Sequence, residues 1–104
     1  MVEQSVLNSV QKYIREIPDD LTIKKIFLFG SYAKGTAREG SDIDLAVVIR
    51  NMNDFFDVQK RLMKIRRNID LRIEPHPIDE NDFTLQNPFA YEIMKTGMEI
   101  FAKL

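Results

Sequence analysis

Apolar positions along the chain follow a helical period in some segments and a strand period in others. A helical stripe covers about residues 2–16, and Pro18 ends it. The apolar, aromatic run at 25–29 predicts a buried strand that ends at Gly30. Residues 42–49 predict a second strand, which has Ile43, Leu45 and Val47 on one face and Asp42, Asp44 and Ala46 on the other.

The middle of the chain predicts a helix followed by a third strand. Asn53 is a plausible N-cap for a helix that runs to about residue 67, along which apolar side chains form one stripe. Residues 69–74 alternate between aliphatic and charged side chains, which is typical of a half-buried strand. Pro75 and Pro77 are expected to break regular structure after it.

The last part of the chain predicts one more helix and a short strand. Asn87 is a good N-cap, Pro88 suits the first helical position, and Gly97 is expected to end the helix. Residues 98–102 can add an edge strand. This order of elements predicts an α+β fold, a small mixed β-sheet flanked by helices, in one domain over residues 1–104.

Composition narrows the classes of function. Hydrophobic residues make up 44% and charged residues 30% of the 104 positions, as in an ordinary soluble domain. The chain has no cysteine, which excludes thiolate metal sites and fits the reducing cytoplasm. Its apolar runs are too short to span a membrane. The formal net charge of −1 disfavours a protein that grips long nucleic acid, whereas a small anion held through metal ions requires no basic excess.

Two aspartates are the first candidates for chemistry. On a strand, Asp42 and Asp44 would point to the same face, about 7 Å apart by strand rise. Mg²⁺ favours one or two carboxylates, with phosphate oxygens and waters completing its octahedron. A third carboxylate on a neighbouring strand would complete the ligand set. Asp70 is the first candidate because it lies early on the polar face of strand 69–74, and Glu74 is the second.

Gly30 and Ser31 form the other half of the predicted site. A strand that ends in Gly-Ser and turns into a helix presents backbone N–H groups to an anion, and glycine lets a phosphate approach closely. The Ser31 hydroxyl can donate to a phosphate oxygen, and Lys34 can contact phosphates from the same loop. Either short pattern alone is usually structural. Together, at the ends of two apolar strands, they indicate a site for metal and phosphate.

The segment GSYAKGTAREGSDIDL resembles the signature of the minimal nucleotidyltransferases of the DNA polymerase β superfamily, which is Gly-Ser, ten residues and Asp-x-Asp. Apolar strands flank the motif on both sides. The resemblance implies the nucleotidyltransferase fold and a nucleoside triphosphate, ATP or another, at Gly30 and Ser31. It also implies two Mg²⁺ ions at Asp42 and Asp44, with Asp70 matching the family's third carboxylate.

The same resemblance implies a reaction and a partner. The chain would transfer a nucleoside monophosphate to an acceptor hydroxyl, with Asp42, Asp44 and Asp70 as catalytic residues and metal ligands. Members of this size often pair with a helical HEPN-domain protein, as antitoxin with toxin, and some modify that partner with AMP. The alternative is a non-catalytic antitoxin that neutralises a HEPN ribonuclease by contact alone. A homo-oligomer is compatible with both.

Other residues with functional side chains have plainer interpretations. His76 is the only histidine and lies between two prolines, where we expect a surface-loop role. The alternative is a position near the mouth of the site, because His76 follows the acid-bearing strand, but we assign it no catalytic role. Basic residues cluster in the predicted helix 53–67 and are expected to form a solvated face. Aromatic residues of the C-terminal part are expected to pack in the core or at an interface (Phe83, Phe89, Tyr91 and Phe101).

Overall fold

Four strands form one mixed sheet. The computed structural model describes residues 2–102 and the side chains of residues 2–101, so positions 1, 103 and 104 of the predicted domain lie outside the described residues. The strands are β1 (Thr22–Phe29), β2 (Ile43–Arg50), β3 (Ile73–Asp79) and β4 (Met98–Ala102). They lie in the order β3-β2-β1-β4. β2 runs antiparallel to β1 and parallel to β3, and β4 is antiparallel to β1, which confirms the predicted α+β fold.

Four helices accompany the sheet. They are α1 (Gln4–Arg15), α2 (Ser31–Lys34), α3 (Phe55–Ile65) and α4 (Pro88–Thr96), and a 3₁₀ turn (Arg66–Asn68) extends α3. Asn87 caps α4 as predicted, whereas the cap of α3 is Asp54 rather than Asn53, because the Asp54 side chain accepts from the backbone N–H of Asp57. Among the helices of residues 2–102, none combines the length and apolar character needed to cross a membrane.

The two faces of the sheet are covered differently. α1 and α3 pack on one face, where the odd-numbered residues of β2 are fully buried. The hydroxyl of Tyr13 in α1 donates to the carbonyl of Leu62 in α3 over 2.7 Å, and burial raises the pKa of this phenol. On the other face, Ile93 of α4 packs against Phe27 and Ala46. Asp44 belongs to this second face because strand residues two apart share a face.

The beginning of the third strand differs from the prediction. Residues 69–72 form a turn, in which the N–H groups of Ile69 and Asp70 both donate to the carbonyl of Arg66 over 3.0 Å. The N–H of Ile73 then donates to the carbonyl of Asp70 over 3.1 Å, and Leu71 is 68% exposed. These local hydrogen bonds replace the ladder bonds of a strand. The strand prediction over 69–74 was therefore wrong over its first four residues.

Pro75 and Pro77 lie inside β3, where we had expected regular structure to break. β3 is an edge strand next to β2. The carbonyl of Arg72 and the N–H of Glu80 both form hydrogen bonds with β2. The backbone N–H and C=O groups of the even-numbered residues therefore face β2. The two odd-numbered prolines therefore have their missing N–H on the open edge, where no ladder bond is lost.

Candidate active site

The ends of β1 and β2 bring the two halves of the sequence motif together. Phe29, the last residue of β1, is the register partner of Asp44 in β2, so Gly30 follows directly beside Asp44. Gly30 is the N-cap of α2, whose first residue is Ser31. Asp42 immediately precedes β2 and is exposed, whereas Asp44 is partly buried. A glycine turn and two carboxylates thus share one end of the sheet.

Gly30 approaches the Asp44 carboxylate closely, in a backbone conformation that favours glycine. Its backbone has φ +76° and ψ −150°, a conformation that is essentially restricted to glycine. A β-carbon at this position would lie 2.5 Å from Asp44 Oδ2 and 3.4 Å from Asp44 Cγ. The glycine therefore serves two purposes, because it permits the turn and it leaves room for a carboxylate oxygen.

His76 contacts the same carboxylate from the opposite side. Its Nε2 lies 3.1 Å from Asp44 Oδ1, and it projects from β3 rather than from the loop that we expected. The sequence prediction missed this contact because it ended the third strand before Pro75. The parallel register, in which His76 is opposite Ala46, places the imidazole on the face of Asp44.

Glu74 shares that face too. It is the register partner of Asp44 in the parallel pair of β2 and β3, so both side chains leave the sheet on the same side. The Glu74 carboxylate accepts from Arg66 Nη1 over 3.2 Å, and the same nitrogen also donates to the carbonyl of Ile73. Glu74 thus lies next to Asp44 in the sheet, but its carboxylate is paired with the guanidinium of Arg66.

Asp70 lies in the turn before β3 and not on the sheet. Its carboxylate accepts from Arg72 Nε over 3.0 Å and from Arg72 Nη2 over 2.8 Å. This hydrogen bonding to Arg72 holds the pKa of Asp70 below its usual range. Arg72 also donates to the hydroxyl of Tyr32 in α2 over 3.1 Å. The placement of Asp70 on the third strand was therefore wrong, and the ion pair links its turn to the Gly-Ser segment.

The side chains present fit a magnesium ion only in part. Within residues 2–102, no three Asp, Glu or His side chains converge on one point. Asp42 and Asp44 could still hold Mg²⁺ together with a bound nucleotide, because Mg²⁺ in such sites takes one or two carboxylates while phosphate oxygens and waters supply the other ligands. The Glu74 carboxylate, which lies next in the sheet, is paired with Arg66.

A shallow cleft opens beside Gly30. It measures about 240 Å³, and Phe29, Phe89 and Ile93 form its apolar wall. Lys34 and Glu92 stand at its rim, with Lys34 Nζ 3.9 Å from Glu92 Oε1 and both side chains about half exposed. Because an exposed ion pair of this length contributes little, Lys34 can turn towards an anion at small cost.

Comparisons with known proteins agree on one family. A family model described as "Polymerase beta, Nucleotidyltransferase" matches residues 10–103. An inferred protein adenylyltransferase of Methanocaldococcus jannaschii is 43% identical over 111 aligned residues, which cover 95% of this chain and 74% of that protein.

Solved structures share the fold. An inferred nucleotidyltransferase from Sulfolobus solfataricus superposes with a TM-score of 0.62 at 18% identity, covering 96% of this chain and 79% of that one. A toxin-antitoxin structure with AMP-PNP gives a TM-score of 0.61 at 24% identity, covering 93% of this chain and 73% of that one. At these identities the likeness concerns the fold alone.

The space beside Gly30 can be tested by comparing two glycine substitutions. We expect Gly30→Ala to cost roughly 3 kcal/mol of stability, because it combines a glycine-only conformation with a clash against Asp44. Gly35 is the matched control. It also has φ +76°, but its β-carbon would meet nothing within 4 Å, so Gly35→Ala should cost about 1–2 kcal/mol. Urea unfolding measures both, and equal losses would contradict the close approach.

Proposed function

Because this chain belongs to the polymerase β nucleotidyltransferase family, as one of its minimal members, we propose that it transfers a nucleoside monophosphate from a nucleoside triphosphate to a protein hydroxyl. The observation that carries the proposal is the contact between the Gly30 turn and the Asp44 carboxylate. It joins a turn suited to a phosphate with carboxylates suited to a hard cation. ATP is the proposed donor, which the name of the M. jannaschii relative and the AMP-PNP in the toxin-antitoxin structure support.

Each residue of the site has a proposed role. Asp42 and Asp44 would hold two Mg²⁺ ions, which supply charge neutralisation at the phosphates and acidify the attacking hydroxyl. The backbone N–H groups after Gly30 and the hydroxyl of Ser31 would bind the β- and γ-phosphates. Lys34, on the rim of the cleft, would contribute a further positive charge to the triphosphate.

The proposed reaction is an in-line displacement at the α-phosphorus. The acceptor oxygen forms a new bond to the α-phosphorus, and its proton passes to solvent. The bond between the α-phosphorus and the oxygen that bridges to the β-phosphate breaks, and pyrophosphate leaves with that bond's electron pair. The chain contributes chiefly by holding the triphosphate against the Gly30 turn, so that the α-phosphorus faces the acceptor. Positioning and charge neutralisation therefore account for most of the rate enhancement.

Glu74 replaces Asp70 as our candidate for the third carboxylate. The parallel register puts Glu74 beside Asp44. Asp70 lies in a turn instead, and its carboxylate forms an ion pair with Arg72. Glu74 is also paired, but with a single nitrogen of Arg66. A metal ion competes more easily with one hydrogen bond than with the two-pronged contact that holds Asp70.

The proposed acceptor is a helical partner of the HEPN toxin type. The fold likeness to a toxin-antitoxin structure supports a partner of this kind. One observation also favours the second candidate function, neutralisation of the toxin by contact alone. Both candidate third carboxylates are held by arginines, so the metal site is not completed among the described residues. In that case the site would bind nucleotide without turning it over.

Loss of Asp44 should abolish transfer. We expect Asp44→Asn to lower the rate at least about a hundredfold, because the amide cannot replace an ionised metal ligand. Asp19→Asn is the matched control, since Asp19 is exposed at the opposite end of β1. Transfer of label from α-³²P-ATP to the protein that co-purifies with the chain measures both variants. Unchanged transfer by Asp44→Asn would disprove the mechanism, whereas toxin suppression without any transfer by the parent would favour neutralisation.

One pair of variants can show which of Glu74 and Asp70 serves as the third metal-binding carboxylate. Glu74→Gln should lower transfer about a hundredfold, because it removes a charge beside Asp44. Asp70→Asn should change transfer by less than about tenfold but should lower stability by about 1–3 kcal/mol, since it breaks a charged hydrogen-bonded pair. The reverse ranking in the transfer assay would restore Asp70 as the metal ligand.

The contribution of ionised Asp70 to stability can be tested by lowering the pH. Its pKa is lowered by folding, so its stabilisation is full at neutral pH and is lost as the pH falls below about 4. Unfolding curves of the parent and of Asp70→Asn should therefore converge in acid.

A further inference from the structure

The two oxygens of the Asp44 carboxylate have different neighbours. Oδ1 lies 3.1 Å from His76 Nε2, whereas Oδ2 is directed at the space that a Gly30 side chain would occupy. The carboxylate of an aspartate can rotate about its Cβ–Cγ bond. A hydrogen bond to one carboxylate oxygen therefore also fixes the direction of the other oxygen. In this protein the anchored oxygen is the one that faces β3.

The contact also indicates which ring nitrogen of His76 carries a hydrogen. An ionised carboxylate only accepts hydrogen bonds, so Nε2 must carry the hydrogen that lies between the two groups. Two aromatic rings lie next to the imidazole. Phe29 packs edge-on against it with 5.1 Å between ring centroids, and the centroid of Phe89 lies 6.2 Å from it.

We propose that His76 is a positioning residue, which donates from Nε2 to Asp44 Oδ1 and so holds Asp44 Oδ2 ready for a metal ion beside the Gly30 turn. The inference rests on the proposed function, since it assigns a role to a neighbour of the same metal site. Hydrogen bonds to a ligating carboxylate or imidazole orient the ligand, and their loss typically weakens metal binding tenfold to a hundredfold. His76 itself contacts no substrate in this role.

Two substitutions separate the hydrogen bond from the packing of the ring. His76→Phe keeps an aromatic ring between Phe29 and Phe89 but has no donor for Asp44. His76→Gln loses the ring but carries an amide N–H at the same distance from the backbone as Nε2. A purely structural role predicts that the phenylalanine is the better replacement, and the positioning role predicts that the glutamine is.

Mn²⁺ is the probe, because its free concentration can be measured by electron paramagnetic resonance without any turnover. We expect His76→Phe to weaken Mn²⁺ binding by about tenfold to a hundredfold, and His76→Gln to stay within about threefold of the parent. In the Asp44→Asn background, His76→Phe should cause no further loss, because the two residues act through one contact. Parent-like Mn²⁺ binding by His76→Phe would overturn the inference.

Failure of this inference can be told apart from failure of the proposed function. If Asp44→Asn binds Mn²⁺ as the parent does, the proposed metal site is wrong. If Asp44→Asn loses Mn²⁺ but His76→Phe does not, the metal site stands and the positioning role is refuted.

The unmodified protein provides a second test that does not depend on the variants' folding. His76 is the only histidine, so its ring nitrogens give a single set of signals in long-range ¹H–¹⁵N spectra. We expect the spectra of the unmodified protein to show the hydrogen on Nε2. A ring that carries its hydrogen on Nδ1 alone cannot donate to Asp44 and would refute the proposal.

Discussion

The space beside Gly30 is the constraint on which the site depends. β1 and β2 pair so that Phe29 lies opposite Asp44, and the chain leaving β1 must pass directly next to the Asp44 carboxylate. A β-carbon at position 30 would lie 2.5 Å from Asp44 Oδ2, so the carboxylate would have to turn away from its present position. A loop separates the glycine from the aspartate in the sequence, and the pairing of β1 with β2 brings the two residues together. The strand pairing therefore brings the Gly-Ser and Asp-x-Asp parts of the motif together.

Ionic and hydrogen-bonding partners then distinguish the four acidic residues near this end of the sheet. Asp42 is exposed, and Asp44 is held by His76 from one side. Glu74 pairs with Arg66, and Asp70 forms the stronger, two-pronged pair with Arg72. The first two carboxylates therefore remain available to a cation. Asp70 instead connects its turn, through Arg72, to Tyr32 in the helix that follows Gly30.

Periodicity in the sequence was sufficient for most of the fold but not for β3. The helix around Val58 and Leu62 and the strands that end near Gly30 and begin near Asp44 have simple apolar patterns, and the structure has these elements. Residues 69–74 alternate like a strand, but local hydrogen bonds to Arg66 turn the chain before the sheet begins. The prolines of β3 are allowed because their missing N–H groups face the open edge, which depends on strand order. His76 was missed for the same reason, since only the register brings it to Asp44.

A crystal structure of the protein with Mn²⁺ and AMP-PNP would test the central claim most directly, because manganese is located by its anomalous scattering. The proposed site predicts manganese peaks within about 2.0–2.2 Å of carboxylate oxygens of Asp42 and Asp44, close to the Mg²⁺ distances. It also predicts the β- and γ-phosphates against the backbone N–H groups after Gly30. Metal bound elsewhere, or phosphates that do not touch the Gly30 turn, would contradict it.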